Sequence, residues 1–213
     1  KMGRRIFDNI KKAMAYIISV HVPIAGLALF PVLFNWPIVF YPLHVVFLEL
    51  IIDPVCSIVF EAETEEDDVM SRPPRNPSEP LFSKSLLLRS FLQGAFSLIM
   101  ISVVFNTALS YGFADAYSRT LAFITLIFSN LGLIFVNRFL GHSILKAFTA
   151  KNPALLYVVF GAIFLLVLTV YVPFMQDIFR FERISILHFL TVASIGFAAG
   201  MFWKVVGLFE FKK

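Results

Sequence analysis

The sequence predicts an all-α membrane protein with six transmembrane helices. Hydrophobic residues make up 59% of the 213 residues and charged residues only 15%, whereas soluble domains are about half apolar and about a quarter charged. Six separate segments approach the length of about 20 mostly apolar residues that a helix needs to cross a bilayer. The net charge of +4 is small, so no nucleic-acid partner is indicated, and the single Cys56 excludes an internal disulfide.

The six expected spans make residues 1–213 a single transmembrane domain. Their expected boundaries are 13–34, 42–60, 86–109, 120–136, 154–172 and 184–206. Between the first two spans, Asn35-Trp36-Pro37 predicts a tight hairpin with Trp36 at the membrane interface. Residues 61–85 form the one long polar loop, and residues 173–183 are expected to be a loop before the last span.

The distribution of Lys and Arg predicts the orientation of the spans. Fifteen of the 18 basic residues lie on one side of the predicted topology, and only Arg119, Arg180 and Arg183 lie on the other. Because cytoplasmic loops carry an excess of Lys and Arg, we expect both termini and the loop 61–85 to be cytoplasmic.

The loop 61–85 begins with an acidic run and continues with a proline-rich stretch. The acidic residues are Glu61, Glu63, Glu65, Glu66, Asp67 and Asp68. We interpret this run as solvated, and attraction of cations to a pore mouth is the alternative. The prolines of residues 72–77 fix φ and restrain the residues before them, which predicts an extended connector.

Glu49 and Asp53 are the only acidic residues inside the predicted spans. Their spacing of four residues places them on one face of a helix. Carboxylates in hydrocarbon are costly unless they are paired, protonated or bound to a cation. Pro54 has no N–H, so it also frees the carbonyl of Leu50. The pattern therefore predicts a cation site, with a protonated carboxyl bonded to a neighbouring helix as the alternative.

Other polar residues in the spans have weaker signals. His21 precedes Pro23, which frees the carbonyl of Ser19; His21 is a candidate cation ligand, a proton carrier or a packing residue. His44 lies nearer an interface and is interpreted as structural. Most of the remaining polar side chains are expected to join helices, namely Gln93, Asn106, Ser129, Asn137, Thr191 and Ser194. Asn130 is retained as a further candidate ligand.

Several stretches, taken in order, carry a resemblance to a known family. They are residues 3–12 before the first span, residues 46–53 in the second, residues 68–77 in the long loop, Ser118-Arg119-Thr120 before the fourth and Asn152-Pro153 before the fifth. Together they resemble the C-terminal membrane region, helices five to ten, of the type II P-type ATPases, the calcium-pump-like cation pumps. The resemblance covers essentially the whole chain.

The resemblance implies a set of metal ligands. Asp53 stands at the aspartate shared by both sites of calcium pumps, and Glu49 stands at an asparagine ligand one turn earlier. His21 stands at a fifth-helix asparagine ligand, and Asn130 at an eighth-helix glutamate. Ile24 and Ile52 stand where the family has a glutamate and a threonine ligand. One of the two family sites has therefore lost its carboxylates, which implies one ion per cycle.

The implied function is the ion-binding membrane half of an ATP-driven cation pump. Ca²⁺ export is expected, with Mn²⁺, H⁺ or another cation as alternatives. Glu49 and Asp53 would bind the ion and take up protons on its release, which allows proton counter-transport as a hypothesis. Two readings from other classes remain open, a proton-coupled secondary transporter and a membrane scaffold that transports nothing.

The resemblance also implies what lies elsewhere. The sequence contains no Asp-Lys-Thr-Gly-Thr phosphorylation motif, so catalytic and cofactor-binding residues are not expected in this chain. Mg²⁺ and ATP would bind cytoplasmic domains of the pump, and the chain alone should be inactive. Its expected partners are the lipid bilayer and the rest of the same pump, meaning the first four helices and the cytoplasmic domains. The expected location is the plasma membrane of a bacterium, as a multi-pass protein.

Overall fold

The computed structural model describes residues 2–65, 69–71, 81–138 and 151–210, and the regular structure in these ranges is helical. The helices are α1 Met2–Phe34, α2 Pro42–Pro54 with a π-helix Val55–Val59 continuing it, α3 Lys84–Ser110, α4 Asp115–Arg138, α5 Pro153–Tyr171, α6 Pro173–Phe179 and α7 Ile186–Glu210. Six of these elements are long and apolar enough to cross a membrane, counting α2 and the π-helix together. The expectation of six such helices is confirmed. The proline-rich residues 72–77 and Glu66, Asp67 and Asp68 lie outside the described residues.

The largest departures from the expected boundaries are at two elements. Helix α1 begins at Met2, eleven residues before the predicted span, because a hydropathy criterion finds the apolar part of a helix and misses its polar extension. Part of the predicted loop 173–183 is the short helix α6. Pro173 occupies its first turn, where the missing N–H does no harm. Arg180 ends α6 in the left-handed region at φ 52°.

Helix α4 forms the centre of the bundle. In its apolar stretch 89% of the residues are buried, against 28% in the apolar stretches of α1 and of α5. It packs against α1, α3, α5 and α7, which leaves little of its surface for lipid. A helix that is buried all round needs an apolar surface on most faces. Residues 121–126 supply it on consecutive positions apart from Thr125, whose hydroxyl donates to the Leu121 carbonyl of the same helix.

Helices α4 and α7 approach each other closely through glycines. A Cβ added at Gly196 would lie within 2.2 Å of the Thr125 carbonyl oxygen, and one added at Gly200 within 2.3 Å of the Ser129 oxygen. On the facing helix, a Cβ at Gly132 would lie 2.7 Å from the Phe197 oxygen. Gly196 and Gly200 are four residues apart and therefore share one face, the small-residue pattern that lets membrane helices pack backbone to backbone.

Polar contacts between helices agree with part of the expectation. Gln93 Oε1 on α3 lies 3.0 Å from Ser19 Oγ on α1 and accepts from Asn137 Nδ2 on α4 at 3.3 Å. Ser129 Oγ donates to Ser97 Oγ at 2.8 Å. Thr191 and Ser194 on α7 are exposed and donate to carbonyls of their own helix, so their role in joining helices stays a prediction. Asn106 is also exposed.

His44 is fully buried and joins α2 to the last residue of α6 and to the segment after it. Its Nδ1 accepts from the Tyr41 backbone N–H at 2.9 Å, and Nε2 donates to the Phe179 carbonyl at 2.7 Å. Since a carbonyl only accepts and an amide N–H only donates, the ring is the neutral Nε2–H tautomer. It stacks on Phe181 with ring centres 4.8 Å apart. The structural interpretation of His44 is confirmed.

The interpretation of the acidic run as solvated is wrong for Glu63. Its side chain is only 1% exposed and forms the Glu63 cluster, which consists of Glu63, Arg138, Asn152 and Asn9. Arg138 Nε donates to Glu63 Oε1 at 2.5 Å, and Asn152 Nδ2 donates to the same oxygen at 2.6 Å. A charged residue is rarely buried unless it is paired, and here Arg138 is the buried partner of Glu63.

Candidate cation site

Helices α1 and α2 bring His21 and Glu49 together. His21 Nε2 lies 3.4 Å from Glu49 Oε1, and His21 Nδ1 lies 2.8 Å from the Ile17 carbonyl one turn back on α1. Because the carbonyl can only accept, Nδ1 carries a hydrogen. A neutral imidazole would then direct its Nε2 lone pair towards the carboxylate, and a protonated one would direct its Nε2–H there. Two donor atoms from different helices thus converge on one point.

Asp53 lies one helical turn beyond Glu49, directly before an irregular stretch of backbone. Pro54 cannot donate to the Leu50 carbonyl, and the chain continues as the π-helix Val55–Val59. Phe60 N–H closes this segment on the Val55 carbonyl at 3.1 Å. Single π turns inside helices occur frequently at functional sites, and carbonyls freed from helical bonding are tolerated at membrane depth where they line a cavity or meet an ion.

The proline in α1 also frees a carbonyl, but this carbonyl does not lie at the candidate site. Pro23 leaves the Ser19 carbonyl without its helical donor, but this oxygen is covered by α3, because a Cβ at Gly94 would lie 2.4 Å from it. The freed carbonyl of Ser19 therefore serves the close approach of α1 and α3 rather than the face that carries His21. Only glycine allows the two backbones to come so near at this position.

The candidate ligands differ in burial. The side chains of His21 and Glu49 are 47% and 40% exposed, and Asp53 is exposed as well. Val46 and Leu50, on the same side of α2, are exposed apolar residues. We call this surface, formed by His21, Val46, Glu49, Leu50 and Asp53, the acidic face.

Asn130 lies inside the bundle instead. It is only 2% exposed on α4, and its Oδ1 has no hydrogen-bond partner among the described residues. Ile24, at the other position where the family resemblance expects a carboxylate, is part of the apolar core. The structure therefore joins His21 with Glu49, places Asp53 on their face by helical register, and keeps Asn130 in the interior.

The donors of the acidic face form an incomplete metal shell. Among the described residues, no group of three or more His, Cys, Asp or Glu is placed to hold a metal ion. Calcium is bound by about six to eight oxygen atoms. Two carboxylates and one imidazole could supply part of such a shell, and the remaining ligands would have to come from a surface packed against this face.

Glu63 is a buried charged residue that the sequence did not single out. Its partner Arg138 lies 75 positions further along the chain, and no spacing rule pairs residues so far apart. One signal was available: Asn152-Pro153 predicts a helix N-cap, and a cap at a helix end that packs on the bundle brings a polar side chain into the interior.

The fold and the acidic face together define a multi-pass helical membrane protein with carboxylates within an interrupted span. The model of the family described as "Cation transporting ATPase, C-terminus" matches residues 37–209. The chain belongs to this family.

Curated relatives agree with this assignment. The chain is 29% identical over 189 residues to "Calcium-transporting ATPase" of Bacillus subtilis, covering 87% of this chain and 21% of the relative. It is 30% identical over 178 residues to "Calcium-transporting ATPase 1" of Lactococcus lactis, covering 84% and 20%. For human "Calcium-transporting ATPase type 2C member 1" the identity is 24% over 188 residues, covering 88% and 20%. The chain thus spans about a fifth of the length of these relatives.

Proposed function

We propose that this chain is the ion-binding membrane part of an ATP-driven cation pump, and that Ca²⁺ is the ion it moves. The observation that carries the proposal is the acidic face, where Glu49 and Asp53 lie in the last two turns of α2 before the π-helix and His21 Nε2 lies 3.4 Å from Glu49 Oε1. Membership of the cation-transporting ATPase family supports it, as does the similarity to relatives named calcium-transporting ATPases. Asp53 and Glu49 are the principal ligands, His21 is a further candidate ligand suited to a transition metal, and Asn130 is a candidate from the interior side.

The exposure of the acidic face supports the rest of the same pump as the partner of this chain. Two carboxylates facing lipid would be strongly unfavourable, so in a bilayer this face must be covered by protein or line a water-filled cavity. Further helices of the same pump are the natural cover, and they would bring the oxygen ligands that the face lacks. ATP and Mg²⁺ act in the cytoplasmic domains of that pump, and this chain by itself is expected to hydrolyse no ATP.

The contact between His21 and Glu49 supports proton counter-transport. With Nδ1–H bonded to Ile17, the contact at Nε2 is attractive when one proton lies on either partner. A cation arriving at Glu49 would compete with that proton, and its departure would let the proton return. One ion site then exchanges a cation for at least one proton in each cycle.

Mn²⁺ is the second candidate ion, because a specific observation favours it. Imidazole nitrogen is a ligand for transition metals, while calcium takes oxygen atoms, and His21 Nε2 faces the carboxylate of the proposed site. A titration of the full-length pump with Ca²⁺ and with Mn²⁺, following ATP hydrolysis in vesicles with a bacterial membrane composition, separates the two. Half-saturation by Ca²⁺ at the lower concentration supports calcium. Stimulation by neither ion would overturn the proposed function.

Replacing His21 tests its role as a ligand. We expect His21→Ala to raise the half-saturating Mn²⁺ concentration by about tenfold and to change that for Ca²⁺ by less than about threefold, because only the transition metal gains from imidazole. The measurement is metal-stimulated ATP hydrolysis by the full-length pump. Equal effects on the two ions would contradict selective ligation. His188→Ala, on α7, is the matched control and should change neither value.

A further inference from the structure

We propose that Glu63 is a positioning residue for the cation site, acting through the segment that connects it to Asp53. The inference rests on the proposed function, because it concerns the affinity of that same site. Glu63 lies ten residues after Asp53 and is held by side chains from three other elements. It touches neither His21 nor Glu49 through any contact described above, so its effect must pass through the backbone.

The Glu63 cluster binds the end of the site segment on several sides. Arg138, the last residue of α4, donates to both carboxylate oxygens of Glu63, at 2.5 and 3.4 Å. Asn152 donates to Oε1 and also to the Val59 carbonyl, at 2.6 and 3.0 Å. Asn9 of α1 donates to the Glu63 carbonyl at 3.0 Å. The side chains of Glu63 and Arg138 are each 1% exposed.

The side-chain amide of Asn152 makes hydrogen bonds through its oxygen and through both of its hydrogens. Its Oδ1 accepts from Leu155 N–H at 3.2 Å and so caps α5, while its amide hydrogens go to Val59 and Glu63. The start of α5, the end of the π-helix and the buried carboxylate are therefore fixed relative to one another by a single side chain. Val59 is the last residue of the π-helix, which makes this the point where the irregular segment is held.

The backbone between Asp53 and Glu63 is continuously bonded. Phe60 N–H donates to the Val55 carbonyl, Ala62 N–H to Ile58 and Glu63 N–H to Phe60. Near Asp53 itself, Ser57 Oγ donates to the Asp53 carbonyl at 2.7 Å. No flexible linker separates the anchor from the ligand, so a shift or rotation of one end is passed to the other.

The π-helix explains why an anchor matters here. A π turn holds one residue more than an α turn, and a one-residue change of register rotates the rest of the helix by about 100°. Such a slip would rotate α2, with Glu49 and Asp53 on it, relative to the anchored end, and would turn both carboxylates away from His21 on α1. By fixing Val59 and Glu63 to α1, α4 and α5, the cluster holds the rotation of α2 that directs its carboxylates towards His21.

The charge pair is well suited to specify this geometry. A buried carboxylate and a buried guanidinium need good mutual alignment, because an unpaired buried charge is strongly unfavourable. Removing one charge should therefore loosen the anchor more than removing both together. This difference separates positioning by the pair from simple filling of space.

The test uses the folded full-length pump and measures the Ca²⁺ concentration that half-saturates its ATP hydrolysis. Thermal stability is measured in parallel. Glu63→Gln keeps the shape but removes the carboxylate charge to which Arg138 donates, and we expect it to raise that concentration by about tenfold. The double variant Glu63→Gln with Arg138→Met should return to within about threefold of wild type. Glu61→Gln, an exposed neighbour, is the matched control and should behave as wild type. Asn152→Ser keeps a helix cap but loses the donors to Val59 and Glu63, so it should also weaken Ca²⁺ binding.

The outcomes are distinguishable. Unchanged Ca²⁺ affinity in Glu63→Gln and Asn152→Ser, even with lower stability, would show that the cluster only supports the fold and would overturn the inference. If Glu63→Gln yields no folded pump, Asn152→Ser decides in the same way. Asp53→Asn, measured alongside, tests the proposed function by itself. If Asp53→Asn abolishes the Ca²⁺ dependence and the cluster variants do not change it, the proposed function stands and only the inference about Glu63 fails.

Discussion

Asp53→Asn is expected to remove nearly all cation-stimulated ATP hydrolysis by the full-length pump. The change keeps the size of the side chain and removes the negative charge, so a divalent cation loses one of the two carboxylates of the acidic face. Changes to groups that merely support a metal ligand reduce affinity by about 10–100-fold. Loss of a ligand carboxylate itself should therefore raise the half-saturating cation concentration by about 100-fold or more.

Asp177→Asn provides the matched control. Asp177 is an exposed aspartate on α6, which contacts the His44 end of α2 and not the acidic face, and the same chemical change there should leave the cation dependence unaltered. Measuring both variants at saturating ATP over a wide range of Ca²⁺ and Mn²⁺ separates loss of affinity from loss of turnover. Wild-type affinity and turnover in the Asp53→Asn pump would place the ion site elsewhere in the membrane.

Gly196→Ala and Gly200→Ala should produce the largest losses of stability in the isolated chain. Each new Cβ would lie within about 2.3 Å of a backbone oxygen of α4, at Thr125 or Ser129, where no side-chain rotation can relieve the clash. Overpacking costs about 1–3 kcal/mol and occasionally more, and rigid backbone on both sides places these two substitutions at the upper end. Because α4 is the centre of the bundle, α7 cannot move away without exposing the core.

Gly161→Ala on α5 is the corresponding control, since a Cβ there would meet no atom within 4 Å. Alanine is the better helix former by about 0.5–1 kcal/mol, so this change should be neutral or slightly stabilising. Unfolding of the detergent-solubilised chain, followed by circular dichroism as the fraction of denaturing detergent rises, gives the comparison. Equal stability of all three variants would contradict the close packing of α4 and α7.

Much of the fold follows from local sequence. The number and approximate positions of the apolar helices depend on stretch length and composition, which a bilayer selects almost independently of packing. Helix ends depend on polar extensions and caps, and there the predictions missed the first turns of α1 and the short helix α6. The same length criterion cannot rank helices by burial, so the central place of α4 was not predicted.

The acidic face was predicted in part. Glu49 and Asp53 could be named because an acid in hydrocarbon is unusual wherever it packs, and the effect of Pro54 on the backbone is local. The destination of the Ser19 carbonyl was not predictable, because Pro23 frees an oxygen but only the packing of α3 at Gly94 decides what covers it. The proximity of His21 to Glu49 joins two helices, and it required their relative rotation.

The sequence by itself thus determined the class of the protein, its apolar helices and the carboxylates within them, because these depend on composition and on spacing along one helix. The tertiary structure alone decided which polar groups meet across helices. It turned a glutamate expected to be solvated, Glu63, into a buried partner of Arg138, and it placed His21 beside Glu49. The physical reason is that burial and pairing of charges depend on atoms brought together from distant parts of the chain, for which a single sequence carries no local signal.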